Sequence, residues 1–160
     1  MSLLGSAATA FATVFPAELP DKSMVATIVL TTRTRRPFSV WAGVAAAFSV
    51  QVVVAVTAGR LLTLAPEWVT SAVTTVLFSA GAVVMWRTHD VVEAEVKVRA
   101  GRVVTLAFIT VLVAEFGDLT QLTTAGLAAR SESVVGVALG ALVALWTVAA
   151  LAAASGQRLS

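Results

Sequence analysis

Glu18 and Asp21 stand three residues apart, and so do Glu115 and Asp118. Residues at that spacing share one side of a helix, so each pair could serve a single ion. Further oxygen donors follow each pair: Ser23 after the first, Thr120 and Gln121 after the second. The chain has no cysteine, and its one histidine, His89, falls in its most polar stretch. The donors near the acids are therefore all oxygen. Such a set favours hard divalent cations, Ca²⁺ or Mn²⁺, over Mg²⁺, which sheds its water reluctantly. The lack of cysteine also excludes disulfides, thiolate metal sites and cysteine nucleophiles. No Ser/His/Asp set, phosphate-cradling glycine loop or zinc motif accompanies the acids, so an enzyme is not expected.

These acids sit where charge is expensive. The 160-residue chain is 58% hydrophobic and 12% charged, with mean hydropathy +0.92. A soluble domain is about 45–50% apolar and about 25% charged. The expectation is an all-α integral membrane protein. Five stretches reach the roughly 20 apolar residues of a crossing helix. They are 6–31, 39–58, 67–86, 103–127 and 133–154. Trp68 and Trp86 bracket the third, as interface aromatics do. "AELPDKS" (17–23) lies inside the first span and "AEFGDLTQ" (114–121) inside the fourth. An ionised side chain near the bilayer centre costs roughly 2.5–3.5 kcal/mol on insertion scales, and survives when it faces a bundle interior, is paired, or works on ions.

Sliding the chain on itself by 97 residues aligns the two acidic segments without gaps. "AFATVFPAELPD" (10–21) lies over "AFITVLVAEFGD" (107–118), with seven of twelve positions identical. Thr27 then meets Thr124, Leu30 meets Leu127, Arg33 meets Arg130 and Gly43 meets Gly140. Ser39, Gly43 and Ala47 form a small-residue helix face, and Gly136, Gly140 and Ala144 form its counterpart. Such faces let helices approach closely in lipid. The organisation expected is a first three-helix repeat (1–86), a cytoplasmic linker (87–102) and a second, incomplete repeat (103–160). An odd number of helices per unit makes the repeat inverted, 3+3 in topology. The counterpart of the third span would begin beyond Ser160, so five transmembrane helices are expected, with the sixth missing.

Basic residues set the orientation. Eight Lys and Arg residues flank one side of the spans, in 33–36, 87–102 and the C-terminal tail, against Arg60 and Arg130 on the other. The N-terminus is therefore expected outside, and 33–36 and 87–102 in the cytoplasm of a bacterial-type cell, with the chain in the cell (inner) membrane. The N-terminus lacks a basic n-region and does not read as a signal peptide. The scattering of the basic residues argues against a nucleic-acid partner. Homo-oligomerisation is left open.

Pro16, Pro20 and Gly117 should break or kink the acid-bearing helices and expose backbone carbonyls. Inverted symmetry would gather the four carboxylates around one cavity near the midplane. Four negative charges that close cannot all persist once a cation leaves, so proton uptake would couple the two fluxes. Lys22, which meets Leu119 in the repeat, reads as a partial counter-charge, or as a lysine that snorkels to the interface. Two plainer readings compete: a helix end at water level, and a carboxylate merely paired with Lys22.

"ELPDKS" (18–23) and "EFGDLT" (115–120) resemble the E-x-G-D-K/R-S/T signature of the Gdt-one family of membrane cation/proton exchangers, which occurs once in each of two three-helix halves. The resemblance covers nearly the whole chain. It implies Ca²⁺/H⁺ or Mn²⁺/H⁺ exchange, with Glu18, Asp21, Glu115 and Asp118 as ligands and Ser23 and Thr120 in lesser roles. Pro20 departs from the signature glycine and Leu119 from its second basic residue. The leading expectation is a secondary transporter that exports Mn²⁺ or Ca²⁺ against protons and uses no cofactor. The alternatives are an exporter of small organic cations or amino acids, and a non-transporting membrane protein made from a truncated exchanger.

Overall fold

The computed structural model describes residues 2–64 and 100–159, together with Pro66, Trp68, Ala72, Thr75, Val76 and Ser79. The expected third span and most of the linker therefore lie outside the described residues. The elements run α1 (Leu3–Ala17), α2 (Lys22–Thr34), α3 (Pro37–Leu64), α4 (Ala100–Ala114), α5 (Leu119–Arg130) and α6 (Val134–Arg158).

Local sequence accounts for the boundaries. Ser2 caps α1 by accepting from Gly5 N–H, and Ser133 caps α6 by accepting from Gly136 N–H. Pro37 opens α3, a position where its missing N–H costs nothing. Arg35 closes α2 in the left-handed region, at φ 53°.

Among the described residues two helices are long and apolar enough to cross a membrane, over Pro37–Leu61 and Val134–Arg158. The expected spans 6–31 and 103–127 differ from the observed elements: each is two helices. Arg102–Ala114 and Leu119–Arg130 pass the same test only together, bent by 73°, and make a third span if the bent pair counts as one. Leu3–Ala17 is a shorter apolar helix. The breaks follow from residues already singled out. Pro20 cannot donate and pushes Leu19 out of the helical region. Gly117 takes φ +80°, which few other residues tolerate. The described residues thus hold two full-length helices and two pairs of shorter ones, and the expected third span lies outside them.

The pairs pack across the halves rather than within them. Helices α1 and α2 lie mainly on α6, α4 and α5 lie mainly on α3, and α3 packs against α6. The close approaches repeat at the sequence offset. Gly43 faces the Val104 carbonyl and Gly140 faces the Ala7 carbonyl. Gly59 faces Ala125 and Gly156 faces Ile28. In every case the partners of one contact lie 97 residues from those of the other. Between the long helices, Trp41 Nε1 donates to the Trp146 carbonyl at 3.2 Å, and Trp146 Nε1 to the Ala45 carbonyl at 3.1 Å.

The core is built of small side chains, including Val14, Val44, Ala47, Ala107, Val111 and Ala144. Larger apolar groups such as Leu4, Phe38, Leu61 and Val113 point outward. That is the distribution expected where lipid replaces water, since tight packing and not water exclusion must then hold helices together. Several hydroxyls are satisfied within their own helices: Thr13, Thr27, Ser49, Thr124 and Thr147 each donate to the carbonyl four residues back.

The glycine contacts generate a paired test. A Cβ at Gly140 would collide with the Ala7 carbonyl, whereas one at Gly126 meets nothing within 4 Å. Gly140→Ala should lower the thermal unfolding midpoint in detergent, at about 1–3 kcal/mol for overpacking. Gly126→Ala should leave the midpoint unchanged or raise it.

Candidate functional site

Each acidic motif occupies the gap between two helices. Glu18 is the C-cap of α1, where its N–H donates to the Val14 carbonyl at 3.1 Å. Asp21 is the extended N-cap of α2. The second motif repeats the arrangement. Glu115 N–H donates to the Val111 carbonyl at 3.0 Å, and Asp118 is the N-cap of α5, accepting from Thr120 N–H at 3.5 Å. The acids of each pair therefore do not share a helix face, as their spacing suggested. The break itself turns them toward one another. It also sorts the backbone: the aspartates sit at helix N-termini, which favour negative charge, while α1 and α4 bring their carbonyl ends to the same place.

The two gaps meet. Glu18, Asp21, Glu115 and Asp118 each offer an oxygen, and these four atoms lie within 4.8 Å of one another. The glutamates are sealed from the surface, with Glu18 1% and Glu115 2% exposed. Ser23 Oγ donates to Glu18 Oε2 at 3.3 Å, and Thr120 Oγ1 to Asp118 Oδ2 at 3.4 Å. Lys22 Nζ reaches across the halves to Asp118 Oδ1 at 3.0 Å, with 41% of its side chain exposed. Two buried carboxylate oxygens, Asp21 Oδ2 and Glu115 Oε1, have no hydrogen-bond partner among the described residues. An unpartnered buried acceptor is costly, and a carboxylate oxygen in that position suits a cation or a proton.

The remaining sequence-derived donor, Gln121, also braces the backbone. Its Oε1 accepts from Gly117 N–H at 2.7 Å, bracing the left-handed turn of the second break. Leu119, at the place equivalent to Lys22, is 66% exposed and offers the site no charge. One contributor was not singled out from the sequence. Gln51 of α3 is buried, and with Glu18, Glu115, Asp118, Thr120 and Gln121 it lines a small cleft. An amide inside the otherwise apolar run "SVQVVVAV" (49–56) was the available signal.

Comparison with protein-family models matches residues 6–92 and 103–160 to the family described as divalent cation/proton antiporter GDT1. No curated protein and no solved structure matches the chain.

The second break can be tested directly. A Cβ at Gly117 would touch nothing within 4 Å, so Gly117→Ala isolates the cost of its backbone conformation. The variant should lose about 1–2 kcal/mol of stability, read as a lower melting midpoint of the purified protein.

Proposed function

The chain belongs to the divalent cation/proton antiporter GDT1 family, and from that we propose that it exchanges Mn²⁺ or Ca²⁺ for protons across the cell membrane, exporting the cation. The family is one of transporters, not of enzymes. The observation that carries the reading is the cluster of four acids, drawn from both motifs, with oxygens within 4.8 Å of one another. Glu18, Asp21, Glu115 and Asp118 are the ligands, and Ser23, Thr120 and Gln121 complete the oxygen-rich surround. An all-oxygen donor set of high negative charge suits a cation that dehydrates readily. When the cation departs, mutual repulsion among the carboxylates draws in protons, and this links the two fluxes.

The contacts exchanged at an offset of 97 residues support an inverted repeat. With the N-terminus outside, as the arginine distribution favours, α1 and α4 approach the site from opposite faces. Alternating access then follows from rocking each helix pair against the long helix of the other half. Lys22 acts as a tethered stand-in for the cation. It holds Asp118 while the substrate is away and withdraws when a divalent ion arrives. Asp21 has no such partner, because Leu119 stands in the equivalent place.

Two predictions follow from these roles. In everted vesicles, the parent protein should take up Mn²⁺ or Ca²⁺ when the lumen is acid, and collapse of the proton gradient should stop it. Glu18→Gln and Glu115→Gln should each abolish that uptake. Unchanged uptake in both variants would sink the site, and uptake of lysine but neither metal would redirect the function to organic cations. For the counter-charge, Lys22→Met should tighten Mn²⁺ binding about fivefold, the worth of a half-exposed ion pair near 1 kcal/mol. Leu119→Lys should weaken it, read by equilibrium binding to the purified protein.

A further inference from the structure

Gln51 projects from the middle of α3, and only 6% of it is exposed. A buried amide has four hydrogen-bonding positions to satisfy, two as donor and two as acceptor. Its Nε2 lies 3.4 Å from the Leu112 carbonyl and 3.5 Å from the Val111 carbonyl, in the last turn of α4. The donor end is thus directed at backbone oxygens just before Glu115. The amide is planar, with its oxygen on the other branch, and Gln51 lines the same cleft as Glu18, Glu115 and Asp118. Its Oε1 is the atom left for that cleft.

Nothing in the other half reproduces this group. The position 97 residues on is Val148, which is 1% exposed and apolar. Gln121 also lines the cleft, but its oxygen already accepts from Gly117 N–H at 2.7 Å. Divalent cations of this kind take about six to eight oxygens, and carboxylates are commonly joined by neutral side-chain carbonyls. A neutral oxygen completes the shell without adding to the repulsion among the acids.

We infer that Gln51 is a direct ligand of the transported cation, through its side-chain carbonyl oxygen. The inference rests on the acids being the cation site. It adds a ligand from a full-length helix to those from the two breaks. Because the same amide grips the end of α4, an ion held by Gln51 also sets where α4 sits against α3. The ion would thereby report its arrival to a helix that moves.

The test uses the full chain purified in detergent, with free Mn²⁺ followed by electron paramagnetic resonance. Gln51→Met keeps the bulk and removes the amide, and its Kd should rise about tenfold. Gln51→Glu restores an oxygen at that place but no donor, and should bind at least as tightly as the parent. If Gln51 only ties α3 to α4, Glu is as weak as Met, and the inference is overturned. A Met variant with the parent's Kd overturns it as well. Should Gln51→Met elute aggregated, Gln51→Asn carries the same expectation, since it retains the amide and withdraws its oxygen by one methylene. Glu18→Gln, measured alongside, separates the two levels. If it binds like the parent, the acid site has failed; if it loses binding while both Gln51 variants keep it, only the role of Gln51 has.

Discussion

Four carboxylates drawn together, the two glutamates buried and the two aspartates half-buried, repel one another strongly, and the rest of the structure answers to that. Ionised groups in a low-dielectric interior must be paired, coordinated or protonated. Here the protein supplies one ammonium, from Lys22, and two hydroxyl donors, from Ser23 and Thr120. Helix N-termini at Asp21 and Asp118 add partial positive charge. These groups do not complete the task, since Asp21 Oδ2 and Glu115 Oε1 stay without hydrogen-bond partners among the described residues. A site left short of positive charge in this way is suited to carry cations by turns. One fully satisfied by its own residues would have no reason to bind.

The pattern of satisfaction is unequal between the halves. Lys22 serves the acid of the opposite motif, while Leu119 faces outward and serves none. Gln51 braces the end of α4, while Val148 leaves the end of α1 without an equivalent. The repeated scaffold therefore carries a site whose two sides differ chemically. A transporter whose faces meet different cation concentrations has use for that difference.

Much of this was legible in the sequence, and for physical reasons. Charges inside apolar runs are rare enough that Glu18, Asp21, Glu115 and Asp118 marked themselves, and the offset of 97 residues tied them into one structure. The small-residue faces named the crossings: Gly43 and Gly140 both meet backbone carbonyls of the opposite half. Hydropathy alone does not locate the breaks. A window that averages about 20 residues passes over a gap of four, and it was Pro20 and Gly117 that marked where α1 gives way to α2 and α4 to α5. The i, i+3 argument reached the right cluster through the wrong geometry, because the acids cap different helices. Gln51 escaped because a lone amide in a membrane helix is usually plain interhelical glue. Only its place beside the C-terminal end of α4 and the cleft distinguishes it.

The cross-packing of the helix pairs carries a last implication. Neither pair has its main bed in its own half: α1 and α2 rest on α6, and α4 and α5 rest on α3. A polypeptide of half this length would display its glycine grooves and its two acids with nothing to fill the one or neutralise the other. Two such polypeptides laid against each other would complete both at once. Each half is thus the bed on which the other's helix pair rests, so the two fold and hold their acids only together.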